Sequence, residues 1–151
     1  MIFLKIAGDK VTINRGKQLK KREGAYMEGN DFGEVELERY VTKVMLEVGV
    51  PAHLKGYLFL REAIMISGRD METVSSVTKL LYPEVSKRCK TTNQKVERAI
   101  RNAIESSWKR GNVKSIEELF GYSIANGRKR PTNSEYIARI ADKIRLDVKA
   151  M

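Results

Sequence analysis

Between Lys87 and Arg101 the chain carries six basic side chains and one acid, a charge of +5 in fifteen positions. Arg98 and Arg101 stand three residues apart, so on a helix both guanidinium groups leave the same face. An arginine donates two parallel hydrogen bonds to O6 and N7 of guanine, and an asparagine such as Asn102 pairs in the same way with adenine. Glu97 can accept from a cytosine amino group. Four positions before Arg101, it can equally form an i,i+4 ion pair worth roughly 0.2–0.5 kcal/mol. Lys87, Arg88, Lys90 and Lys95 flank these positions as phosphate contacts would, fixing register without carrying sequence information. The competing reading is a solvated basic face on a helical bundle.

Other reactive side chains form no comparable set. His53 and Cys89 are the chain's single histidine and single cysteine, and they fall in separate helical segments. One cysteine excludes an internal disulfide and a multi-cysteine zinc site. The glycines spell neither a dinucleotide-binding nor a phosphate-loop motif, and Glu117-Glu118 are adjacent without any sign of converging. Nothing here supports an enzyme, a metal site or a cofactor.

The elements that would position the basic face are helical. Leu37, Tyr40, Val41, Val44 and Val48 repeat at i, i+3, i+4, i+7 and i+11, one buried helix face. Gly49 and Pro51 are expected to stop that helix and begin the next. Leu54 to Ile66 is apolar on most sides, as a central helix would be, with its end at Gly68-Arg69-Asp70. Met71 to Leu81 reads as another helix, which Pro83 either kinks or replaces with a fresh one. Thr91-x-x-Gln94 is a capping-box signature for a helix running to Arg110, with Gly111 as its C-terminal cap. Its buried face is expected to be Val96, Ala99, Ile100, Ala103, Ile104 and Trp108. Pro83 to Cys89, the polar turn Lys90 to Thr92 and this longer helix together match a helix-turn-helix. Ser115 to Phe120 suits a short helix and 121–131 a loop with the basic triplet Arg128 to Arg130. A second capping box, Thr132-x-x-Glu135, opens a last helix lined by Ile137, Ile140, Ala141 and Ile144.

Residues 1–36 differ in character. They carry seven basic and six acidic side chains, leaving +9 of the total +10 for residues 37–151. Ile2 to Ile6 and Val11 to Ile13 are β-prone around Gly8-Asp9, a possible hairpin, and the rest reads as a polar linker. Arg15, Lys17, Lys20, Lys21 and Arg22 would suit a phosphate-tracking arm. The reading is therefore an all-α domain of about six helices over 37–151, preceded by an extension over 1–36. No apolar run approaches the ~18–20 residues that span a bilayer, and the apolar start is too short for a signal peptide. The expected location is the cytoplasm.

Seven blocks, in unbroken order over more than two-thirds of the chain, carry a resemblance. They are EVGVPAHLKGY (47–57), LREAI (60–64), TKLLYP (78–83), VERAIR (96–101), WKRGN (108–112), LFGY (119–122) and PTNSE (131–135). The region from Tyr40 to Ala150 resembles the C-terminal DNA-binding effector domain of the stage-zero sporulation response regulator of endospore-forming bacteria. The resemblance implies a six-helix fold whose helix-turn-helix reads a short element in the major groove, usually as tandem head-to-tail copies. It assigns base reading to Glu97, Arg98 and Arg101, with Asn102 where the family usually has histidine. It places Lys149 near the DNA and contact with RNA polymerase, through the housekeeping sigma factor, on about Ser115 to Ile124. In that segment Phe120 matches the family and Glu117 replaces a small polar residue. The family's regulator begins with an α/β phosphate-accepting receiver, a module on the order of 100–150 residues, which 1–36 cannot hold. Aspartyl-phosphate control is thus expected to be absent from this polypeptide.

Two further readings stay open. One is an interaction module that competes for RNA polymerase or for a full-length regulator and binds DNA weakly and unselectively. The other is a general nucleic-acid binder, which lacks a visible aromatic stacking platform.

Overall fold

The computed structural model describes residues 33–121 and 130–150. The expected hairpin, the basic arm and most of the 121–131 loop lie outside the described residues. Among the described residues there are six α-helices: α1 (Glu34–Glu47), α2 (Lys55–Arg69), α3 (Tyr82–Cys89), α4 (Asn93–Arg110), α5 (Val113–Phe120) and α6 (Asn133–Ala150). Among the described residues there is no strand, and no helix is long and apolar enough to cross a membrane.

The helix α2 is the centre of the bundle, with α4 and α6 as its main neighbours. Its apolar surroundings follow from its sequence: Leu60, Ala63, Ile64, Met65 and Ile66 are all buried, too many for one face of a surface helix. Helix α4 enters close at Gly56, where a Cβ would stand 2.7 Å from the Ala99 carbonyl carbon and closer still to its oxygen. The expected faces of α1 and α6 are buried at Leu37, Val41, Val44 and Val48 and at Ile137, Ile140, Ala141 and Ile144, while Tyr40 is only half-buried against the core. Helix α1 begins at Glu34, three residues before its first buried position, Leu37. Glu34 and Glu36 stabilise that first turn through the helix dipole without adding to the apolar pattern.

The end of α1 is a Schellman cap. Gly49 takes φ 79°, its amide bonds Leu46, and the Val50 amide bonds Met45, as this motif requires. Pro51 does not open the next helix as expected: a turn carries the chain from Pro51 to Leu54, and α2 starts at Lys55. Gly49 and Gly111 meet face to face, since a Cβ on Gly49 would lie 2.6 Å from the Gly111 Cα. Gly111 does end α4, but with extended backbone (φ −71°), so close approach and not a left-handed turn explains the glycine there.

A buried polar chain ties the same corner together. Ser107 Oγ lies 2.6 Å from the Val48 carbonyl and 2.7 Å from the Tyr136 hydroxyl. A carbonyl only accepts, so Ser107 gives its one proton to Val48 and takes one from Tyr136. The periodicity did not place Ser107 in the core because its hydroxyl reads as a surface group.

The segment Met71 to Leu81 is not the expected α-helix. Met71–Ser76 is a 3₁₀ helix and Val77–Leu81 a wide π turn that runs into α3. Thr73 Oγ1 donates to the Asp70 carbonyl and Ser75 Oγ to that of Glu72. Such three-residue side-chain bonds compete with the α ladder. Pro83 then sits in the first turn of α3, where its missing amide costs nothing.

Burial pushes the phenols of Tyr40, Tyr82 and Tyr136 above their ordinary range, and Asp147 adds to the shift at Tyr40. A raised folded-state value means that the folded chain holds those protons longer than the unfolded chain does. Their contribution to stability is therefore intact below about pH 10 and lost as pH rises beyond it. Thermal melts between about pH 9 and 11.5 are expected to show a midpoint falling steeply above about pH 10. A flat profile would contradict this burial.

Candidate nucleic-acid interface

The helix-turn-helix is built from α3, the turn 90–92 and α4. Helix α4 opens at Asn93 with Thr92 as its cap, the Thr92 hydroxyl accepting from the Lys95 amide at 3.2 Å. This cap lies one residue later than the Thr91-Gln94 signature suggests. Lys90 takes the left-handed conformation, φ 56° and ψ 54°, a place where glycine is usual. The amide of Thr91 bonds back to the Ser86 carbonyl at 2.9 Å. The Ser86 hydroxyl in turn lies 2.7 Å from Asn93 Oδ1. The angle between α3 and α4 is thus fixed by bonds on both sides of the turn.

On α4, Val96, Ile100, Ala103 and Ile104 are fully buried, while Ala99 and Trp108 are half-buried and Ser107 joins the core. Gln94, Lys95, Arg98, Arg101, Asn102 and Glu105 are all exposed on the other side. Lys87 and Arg88 near the end of α3, and Lys90 in the turn, are exposed as well. The structure therefore places every base-reading candidate on α4 and four of the five phosphate candidates within the helix-turn-helix.

Their electrostatic states differ. Among the described residues Arg98, Lys87, Lys90, Lys95 and Asn102 have no hydrogen bond or ion pair from their side chains. Arg101 pairs with Glu97, the i,i+4 alternative. Arg88 is held by Glu84 at 3.1 Å and Glu62 at 3.3 Å, so reaching a phosphate requires it to leave one carboxylate or both. Of Arg88, Arg98 and Arg101, only Arg98 has no carboxylate partner among the described residues.

The fifth phosphate candidate, Lys149, is exposed in the last turn of α6. At about 1.5 Å per residue it stands ~24 Å along the helix from Asn133, which touches the helix-turn-helix. The structure does not bring Lys149 together with the α3–α4 cluster. The proposed polymerase segment is also separate. Asn112 caps α5 by accepting from the Ser115 amide at 3.0 Å. Helix α5 thus starts two residues before the expected Ser115. Glu117 and Ser115 are half-buried. Phe120 is 3% exposed and packs against Trp108 and Tyr136. Its ring shapes the segment from inside and presents no surface to a partner. Ile124 lies outside the described residues.

Sequence reasoning missed Tyr82, Arg130 and Asn133. Together with Glu97, Arg101 and Thr132 they line a cleft between the start of α3, the outer side of α4 and the start of α6. The signal was local: Asn133 sits inside the Thr132–Glu135 capping box, which forms reciprocally, with Thr132 N to Glu135 Oε1 at 2.9 Å and Glu135 N to Thr132 Oγ1 at 3.2 Å.

A helix-turn-helix with a basic, exposed second helix on an all-α bundle defines a DNA-binding regulatory domain. The comparison with known families makes the assignment specific. The family described as "Sporulation initiation factor Spo0A C terminal" matches residues 41–144, and the chain belongs to this family. It is a sporulation DNA-binding effector domain acting in transcription regulation, and its family is one of DNA-binding regulatory domains, not of enzymes.

Proposed function

We propose that this chain is a sequence-specific transcription regulator that lays α4 in the major groove. Arg98 reads guanine through O6 and N7. Arg101, released from Glu97, and Asn102 read neighbouring bases. Lys87, Arg88, Lys90 and Lys95 grip phosphates on either side, and two copies bind head to tail on tandem elements. The observation that carries this reading is Arg98, exposed on α4 and, like Lys87, Lys90 and Lys95, without a side-chain partner among the described residues. Contact with the sigma factor of RNA polymerase belongs to α5 and the residues after it. Lys149 serves a separate phosphate contact at the far end of α6.

Fluorescence-anisotropy titration with two duplexes tests the proposal, one carrying tandem copies of the family's element and one scrambled. A preference of tenfold or more, kept at higher salt, is the expected result. Equal affinities that collapse together with salt would overturn it, because phosphate contacts alone behave that way. The Lys87→Ala variant is expected to weaken both duplexes alike and to flatten the salt slope by roughly 0.9. A loss confined to the tandem duplex would show that Lys87 reads bases.

The interaction-module reading has one observation in its favour: Val113, at the start of α5, is 66% exposed. It predicts sigma-factor binding that Val113→Ser weakens, with no preference between the duplexes.

A further inference from the structure

Besides the Tyr136–Ser107 bond near the far end of α4, helix α6 reaches the helix-turn-helix through Asn133. Asn133 Nδ2 lies 2.9 Å from the Tyr82 hydroxyl at the start of α3 and 3.2 Å from the backbone carbonyl of Glu97 on α4. A carbonyl only accepts, so the amide nitrogen, with its two protons, must face it. Its other proton then goes to the Tyr82 oxygen. Tyr82 is 4% exposed as a residue, and it shares with Asn133 the wall of the cleft. The carbonyl of Glu97 already serves the α4 ladder, and its second lone pair takes Asn133. The two helices of the helix-turn-helix are therefore joined from outside at the residue whose side chain holds Arg101.

Placing Arg98 and Arg101 within hydrogen-bond reach of base edges requires α4 to sit at a fixed depth and rotation. A bidentate contact tolerates errors well under an ångström. The apolar face holds α4 against α2 through non-directional contacts, and the directional bonds of Asn93 and Ser107 act near its two ends, which leaves rotation of the turn carrying Glu97 to Arg101 less constrained. A directional bond on the outer side of α4 resists that rotation. We infer that Asn133 is a positioning residue for sequence reading, clamping α3 and α4 in the orientation that presents Arg98 and Arg101 to the bases. This rests on the reading of α4 as the base-reading helix.

The test compares wild type, Asn133→Ala and Tyr82→Phe in the two-duplex titration, with hydrogen exchange on the free proteins. For Asn133→Ala the preference for the tandem duplex is expected to fall about tenfold, while scrambled-duplex affinity and salt slope stay within twofold. Tyr82→Phe removes one arm and is expected to lose about threefold. In the free Asn133→Ala protein the amides from Glu97 to Arg101 should exchange at least tenfold faster, those of α5 unchanged. Parallel loss of both affinities, or an unchanged preference, would overturn the inference. Should Asn133→Ala fail to fold, the Tyr82→Phe result decides by the same criteria. If wild type shows no preference, the base-reading assignment falls, and the exchange rates at Glu97 to Arg101 then judge the clamp alone.

Discussion

Replacing Gly56 by alanine is expected to destabilise the domain by roughly 2–3 kcal/mol and to lower its melting midpoint by about 10 °C. Two effects oppose each other there. Alanine is the better helix former by about 1 kcal/mol, and Gly56 lies in the first turn of α2. Its added methyl, however, would overlap the Ala99 carbonyl oxygen, at 2.7 Å from the carbonyl carbon and 2.9 Å from the Ala103 Cβ. The Ala99 carbonyl is helix backbone, which cannot swing away as a side-chain end can, so α4 as a whole must move outward. The steric term wins. Because Ala99 follows Arg98 directly, the displaced helix is also the base-reading one, and preference for the tandem duplex should fall with stability. Gly68 is the control. It lies in the same helix, and a methyl added there would meet nothing within 4 Å, so Gly68→Ala should raise the midpoint slightly through propensity alone. A Gly56→Ala protein melting with or above wild type would contradict the close α2–α4 contact.

Replacing Arg98 by alanine should cost about 1–3 kcal/mol on the tandem duplex, on the order of ten- to a hundredfold in affinity. On the scrambled duplex the loss should be only that of one cation, a change of roughly 0.9 in the salt slope. Stability should barely change, because Arg98 is exposed and has no partner among the described residues. Arg98→Lys should recover the phosphate-like part without the preference, since an ammonium lacks the planar fork that matches guanine. Arg101→Ala is expected to have a smaller effect, because wild type must first break the Glu97 pair to use Arg101. Equal losses on both duplexes for Arg98→Ala would remove Arg98 from base reading.

Sequence legibility followed the range of each interaction. The buried faces of α1, α4 and α6 and the Thr132–Glu135 capping box depend on residues within a few turns, and they could be read directly. So could the Glu97–Arg101 pair, one of two readings of that glutamate. What escaped were contacts across the chain. Asn133 meets Tyr82 fifty-one residues away, and Ser107 meets Val48 fifty-nine away. Neither leaves a periodic trace. The Met71–Leu81 segment departs from expectation because its apolar residues keep a helical rhythm, while Thr73 and Ser75 bond back to nearby carbonyls and tighten the turn. The roles of Phe120 and Lys149 came from resemblance. Burial of the one ring, and the distance of the other side chain from α4, are facts of packing that no local pattern expresses.

Methylation interference at guanine N7 tests the central claim most directly, because N7 lies only in the major groove and is the atom an arginine fork must reach. The tandem duplex is partially methylated with dimethyl sulfate, and bound and free fractions are separated and cleaved. Wild type is expected to reject duplexes methylated at a guanine in each element, and Arg98→Ala to accept methylation at that same guanine. Binding indifferent to N7 methylation at every guanine would contradict the placement of α4 in the major groove.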